Sequence, residues 1–161
     1  VKGPWAIGIS SKLSAIGTVS AVLSACLVHT PVAVPTSPIL LYVADRDADT
    51  VMVVDPATRS VIARIPEVAQ PDDLAVAPDG RTVYVGGQGR TVTAIRLPEH
   101  ALERLEAGTV PAAVNVSRDG RALFVANAKD QTLSVISLKT GKVLAQPRVG
   151  PMPVAVAGIP R

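Results

Sequence analysis

A proline-to-glycine pattern that recurs at a fixed spacing constrains this chain more than any other feature. Pro71-Asp72-Asp73-Leu74-Ala75-Val76-Ala77-Pro78-Asp79-Gly80 matches Pro111-Ala112-Ala113-Val114-Asn115-Val116-Ser117-Arg118-Asp119-Gly120 after 40 residues, and Pro151-Met152-Pro153-Val154-Ala155-Val156 opens a third copy after a further 40. Self-similarity at such a period belongs to architectures in which one supersecondary unit stacks on the next. Behind each Asp-Gly pair comes a second strand-like run, Arg81-Thr82-Val83-Tyr84-Val85-Gly86 and Arg121-Ala122-Leu123-Phe124-Val125-Ala126, and a related Leu40-Leu41-Tyr42-Val43-Ala44 opens the first unit. Third runs are Thr50–Val54, Thr91–Ile95 and Thr132–Ile136, and fourth runs are Ser60–Ile65, Ala101–Leu105 and Lys142–Ala145.

Each run is short and rich in Val, Ile and Thr. Asp79-Gly80 and Asp119-Gly120 supply the positive-φ positions that tight hairpins require. Four short antiparallel strands in about 40 residues is the repeat of a β-propeller blade. The expected fold is therefore all-β, with about three four-stranded antiparallel blades in residues 39–161. One segment pulls the other way, because Glu99-His100-Ala101-Leu102-Glu103-Arg104-Leu105-Glu106-Ala107 has good helix formers at helical spacing. Its place in the repeat predicts a strand, with His100 as an exposed turn residue before it.

The quoted runs also resemble a known repeat. Tyr42-Val43-Ala44-Asp45, continued by Thr50-Val51-Met52-Val53-Val54-Asp55-Pro56-Ala57-Thr58, is similar to the YVTN-type β-propeller repeat of bacterial and archaeal surface and exported proteins. Phe124-Val125-Ala126-Asn127 with Thr132-Leu133-Ser134-Val135-Ile136-Ser137 is a second copy, and Tyr84-Val85-Gly86-Gly87 is a more degenerate third. In that third copy Gly87 replaces the Asn-like residue and the loop is one residue shorter, so this blade edge is expected to differ. The resemblance covers roughly residues 39–158 and implies blades, while the ligand of such a repeat is not written in the residues that build it.

Counting strands gives a sharper expectation. The first unit lacks an innermost strand, and Val154-Ala155-Val156-Ala157 is an innermost strand with no blade after it, so the two together make twelve strands and three blades. Propellers commonly carry four to eight blades. Two chains arranged head to tail would close six, each carboxyl-terminal strand completing the partner's first blade. The rival expectation is that the chain is one part of a longer propeller.

Residues 1–25 are expected to be an address. Lys2 and Lys12 precede Leu13–Ala25, a moderately apolar run of 13 residues that ends in small side chains, the length of a secretory h-region and too short to span a bilayer. Leu23-Ser24-Ala25-Cys26 resembles the lipobox of bacterial lipoproteins, which implies lipid attachment at Cys26 and a membrane partner through that anchor. The alternative is a small buried Cys26 at the end of an ordinary signal or core helix. Residues 26–38 then comprise the lipidated Cys and a tether with three prolines and no charged side chain after Cys26. His29 in it is expected to be a solvated spacer residue.

Composition removes several functions. An apolar content of 48% and a net charge of +3 suit one domain with a core rather than a disordered chain. Without Lys2 and Lys12 the balance is 14 basic against 13 acidic side chains, scattered singly, which is no footprint for nucleic acid. One Cys and two His leave no disulfide framework, no Cys-x-x-Cys-His haem attachment and little for a metal cluster. Asp45-Arg46-Asp47-Ala48-Asp49 has alternating carboxylates but lacks the glycine and glutamate of a calcium loop, where Thr50 and Pro56 stand, and reads as a hairpin loop. Gly86-Gly87-Gln88-Gly89-Arg90 lies between strands with no helix to receive a phosphate.

Asp72 and Asp73 remain the candidate ligand contacts. They stand at the start of an innermost strand, near the mouth of a propeller channel, and their counterparts are Ala112-Ala113 and Met152-Pro153, so the carboxylate pair is private to one blade. The function expected is an exported, lipid-anchored propeller acting as a binding or scaffolding module at the bacterial cell envelope, periplasmic or on the outer face. It would take an unknown protein or small-molecule ligand and have no cofactor and no catalysis of its own. The alternative is an incomplete propeller segment of a quinoprotein-like or dehydrogenase-type redox protein.

Overall fold

The computed structural model describes residues 39–158. The expected signal peptide at 1–25, lipid site at Cys26 and tether through 38, His29 included, lie outside the described residues. The described part is all-β, with eleven strands in three antiparallel sheets. The first holds β1 (Leu41–Asp45), β2 (Thr50–Asp55) and β3 (Ser60–Ile65). A four-stranded sheet follows, made of β4 (Asp73–Val76), β5 (Thr82–Gly86), β6 (Thr91–Arg96) and β7 (Ala101–Glu106). The last is β8 (Pro111–Val116), β9 (Ala122–Asn127), β10 (Thr132–Ser137) and β11 (Val143–Ala145). Within each sheet the strands pair in sequence order, as consecutive hairpins do.

The sheets stack face to face. Leading strands β4 and β8 lie side by side and β1 approaches β4, whereas the last strands make no comparable approach, so the blades fan outward from the leading strands. Strand alternation explains the two cores. On β5, Val83 and Val85 join Val51, Val53 and Ile65 between the first and second blades. Tyr84, pointing the other way, joins Val114, Leu123, Val125 and Ile136 between the second and third. The middle blade is covered on both faces, and every residue of β5 is buried.

Local chemistry sets the hairpins. Gly80 and Gly120 sit at φ +68° and +69°, and the carboxylates of Asp79 and Asp119 accept the Arg81 and Arg121 amides two residues on, which is an Asx turn. Segment 101–106 is a strand, as its repeat position requires. Leu102 and Leu105 pair with Ile95 and Val92 across β6, and burial beside that neighbour outweighs a helix propensity worth a few tenths of a kcal/mol per residue. The degenerate third copy does differ at its edge. The β1–β2 and β9–β10 ladders close with Asp45 opposite Thr50 and Asn127 opposite Thr132, but the β5–β6 ladder ends at Val85 opposite Thr93. A side chain at Gly86 would collide with the Pro111 carbonyl of the next blade.

Two expectations are corrected. Residues 152–158 form no strand, so the described strands number eleven and not twelve. A strand exists only where a neighbour takes its backbone donors and acceptors, and this segment joins no ladder among the described residues, its end at Gly158 lying beside Asn115 and Phe124. His100 is half-buried rather than exposed. Its ring stands edge-on to Tyr42 of the first blade with centroids 6.3 Å apart.

Candidate functional site

Asp72 and Asp73 are neighbours in sequence, and the structure sends their carboxylates to different blades. Asp72 forms an ion pair with Arg46, from the β1–β2 loop of the first blade. Asp73 accepts the Val114 amide of β8, in the third blade, at 2.9 Å, and its other oxygen accepts the Leu74 amide at 2.9 Å. Alternation along an extended backbone is the reason, since consecutive side chains leave on opposite sides. The pair does not converge on a shared ligand position. Each carboxylate instead joins the middle blade to one neighbour.

Other polar side chains at this end have the same kind of employment. Asp49 accepts the Gln70 amide and so fastens the β1–β2 loop to the connection that leads into β4. Asp130 accepts the Thr109 amide at 2.7 Å, fastening the β9–β10 loop to the connection that leads into β8. That bond, with help from the Thr109 hydroxyl, holds the Asp130 carboxyl below the usual carboxylate range. Asn127 is fully buried and donates to the Thr132 and Ser134 hydroxyls, and Ser134 also receives a bond from Gln146. Among the described residues, no group of three or more His, Cys, Asp and Glu side chains is placed to hold a metal ion.

A second candidate lies at the opposite end of β4. A cleft of about 440 Å³ opens between the two Asp-Gly hairpins, bordered by Asp79, Asp119, Thr82, Tyr84, Arg96 and Arg118. Tyr84 is buried, and burial raises its hydroxyl above the ordinary tyrosine range, so it stays neutral and available as a donor. Arg96 is ion-paired with Glu103 on β7. Asp119 is held by the Ser117 hydroxyl and the Arg121 amide, which lower its carboxyl below the usual range. Arg118 forms no ion pair among the described residues and stands exposed at the rim. Sequence reasoning missed this cleft, because two hairpins 40 residues apart meet only when the blades stack. One signal was legible: Arg118 occupies the place of Pro78 in the preceding repeat.

The arrangement of blades resembles that of a solved structure. Hydrazine synthase of Kuenenia stuttgartiensis superposes with a TM-score of 0.68 at 21% identity, over 72% of this chain and 34% of that one. The fold is that of a β-propeller. At that identity the likeness concerns the fold, and the propeller blades here carry their own polar side chains. No family model matches the chain. Among curated proteins, centriole proteome protein 16 of Chlamydomonas reinhardtii is 31% identical over 147 residues, which is 89% of this chain and 7% of that protein. The propeller segment thus spans a small part of that relative and about a third of the structural neighbour.

Proposed function

We propose that this chain is an exported propeller module that binds or scaffolds a partner at the bacterial cell envelope, held there by lipid on Cys26, with no catalysis of its own. One observation carries the binding reading. The carboxylates that sequence placed near a channel mouth are employed in holding blades together, Asp72 on Arg46 and Asp73 on the Val114 amide. A reaction centre needs groups that converge on a reacting atom, and these diverge. What the blades leave open is a recognition surface: the hairpin loops at each end, and the cleft with Arg118 at its rim. The anchorage reading is supported by Leu23-Ser24-Ala25-Cys26 after a 13-residue apolar run, and the repeat by its likeness to the YVTN type.

The test has two arms on the full chain expressed in a bacterial host. Fatty-acid label should enter the protein and be lost in Cys26→Ser; labelling that survives the substitution, or none at all, defeats the anchor. The same protein should show no turnover with artificial electron-accepting dyes. Turnover would favour the competing reading, a segment of a redox propeller, over a binding module.

A further inference from the structure

The cleft between the Asp79-Gly80 and Asp119-Gly120 hairpins has the size of a ligand site and an uncommon polar lining. Its volume of about 440 Å³ falls within the range of about 300–1,000 Å³ usual for small-molecule sites. One wall comes from the second blade, with Asp79, Thr82, Tyr84 and Arg96, and the other from the third, with Arg118 and Asp119. Pro78 and Leu138 add apolar surface. Thr82 and Tyr84 are buried and so lie at the base, whereas Asp79, Arg96, Arg118 and Asp119 are exposed around the mouth.

Three of the four charged side chains are anchored at one atom and uncommitted at another. Asp79 accepts the Arg81 amide on Oδ1, and Asp119 accepts the Ser117 hydroxyl and the Arg121 amide on Oδ1. Oδ2 of each accepts no hydrogen bond among the described residues, Arg121 Nε standing 3.9 Å from that of Asp119. Arg96 gives Nε and Nη2 to Glu103, which leaves Nη1. Arg118, the fourth, has no ion pair among the described residues. Each wall therefore carries one carboxylate acceptor and one guanidinium donor.

That interleaving selects the ligand. An anion seated here meets two carboxylates and a cation meets two guanidinium groups, so either is opposed at close range. A zwitterion needs one positive wall and one negative wall, and neither wall has a single sign. An uncharged polyol suits both walls, because every hydroxyl can donate to a carboxylate and accept from a guanidinium. Such bonds, with one charged partner, are stronger than those between neutral groups. The C–H faces of a sugar ring can rest on Pro78 and Leu138.

We propose that this cleft binds an uncharged saccharide, its hydroxyls donating to Asp79 and Asp119 and accepting from Arg96 and Arg118. The Tyr84 phenol, kept neutral by burial, offers a further donor at the base. The inference deepens the binding-module reading and rests on it, but not on lipid at Cys26.

The test is saturation-transfer NMR on the full chain in a sugar-free detergent. Neutral probes are maltose, cellobiose, lactose and N,N′-diacetylchitobiose; charged ones are cellobiouronate and, at about pH 6 where its amines are protonated, chitobiose. At least one neutral disaccharide should bind, and more tightly than either charged one. Arg118→Ala should weaken that binding about tenfold, as the loss of one hydrogen bond to a charged group does, with the urea midpoint unchanged. Asp79→Asn keeps Oδ1 for the Arg81 amide but puts NH₂ in place of Oδ2, and should weaken binding by a similar factor. Arg148→Ala, outside the cleft, should leave it intact. Binding of none of the four neutral probes overturns the proposal. So does binding that survives both Arg118→Ala and Asp79→Asn, or tighter binding of a charged probe. The binding-module reading falls instead to turnover with electron-accepting dyes, so the two failures are distinguishable.

Discussion

Replacing Asp73 by Ala should destabilise the fold distinctly more than the same change at its neighbour. Asp73 is half-buried and accepts two backbone amides, one of them on Val114, a residue only 4% exposed in the next blade. Its removal leaves the Val114 amide without that acceptor, and bonds of this charged type contribute about 1.5–3 kcal/mol. Asp73→Ala should therefore cost about 2 kcal/mol. Asp73→Asn keeps one carbonyl oxygen for Val114 but presents an NH₂ where Leu74 needs an acceptor, so about half of that loss should remain. Asp72 differs because its partner, Arg46, has a side chain 53% exposed. Exposed ion pairs contribute about 0–1 kcal/mol, which bounds the cost of Asp72→Ala. In urea, with a slope of about 1–3 kcal/mol per molar for small proteins, Asp73→Ala should lower the midpoint by roughly 1 M and Asp72→Ala by a fraction of that. Midpoints followed by circular dichroism at neutral pH decide the matter. Asp72→Ala costing as much as Asp73→Ala would refute the blade-bridging role, and so would Asp73→Asn costing as much as Asp73→Ala.

Three other outcomes follow from the packing. Leu123→Ala, in a side chain fully buried between the second and third blades, should cost about 2–5 kcal/mol in a urea titration, and a loss below about 1 kcal/mol would mean the blades do not pack there. Gly86→Ala should destabilise strongly although it only adds a methyl, since that methyl meets the Pro111 carbonyl; a midpoint equal to wild type would place the two blades further apart. Acid should weaken the fold through Asp55, Asp119 and Asp130, whose carboxyls are lowered by bonds from Ala57, Ser117 and Thr109 respectively. A carboxyl lowered in the folded state adds stability that is complete above the unfolded value, near pH 4, and disappears as pH falls through the folded one. The urea midpoint should accordingly be level above about pH 5 and decline toward about pH 2, with a shallower decline in Asp130→Ala; a midpoint independent of pH over that range contradicts the assignment.

Strand placement was legible because its causes are local. Alternating Val, Ile and Thr, and Asp-Gly pairs that tolerate positive φ, act within a few residues, and the 40-residue repeat multiplied each signal. That repeat also settled segment 101–106, where propensity alone pointed to a helix. Long-range choices were not legible in the same way. Nothing in the sequence around Asp72 and Asp73 says that one carboxylate meets Arg46 and the other the Val114 amide 41 residues away, because those partners come near only when three sheets stack.

The cleft between the Asp-Gly hairpins has the same origin, as does the half-burial of His100 against Tyr42. Residues 153–156 mark the boundary most clearly. Their pattern is that of a leading strand, yet a strand is a property of two segments and is completed by hydrogen bonds that one segment cannot make. The residues alone disclose that this chain builds propeller blades and where the eleven described strands lie, but they also promise a strand at 154–157 that does not form. Which polar groups are consumed in joining the blades is settled only by packing, because each depends on a neighbour that stacking brings within reach.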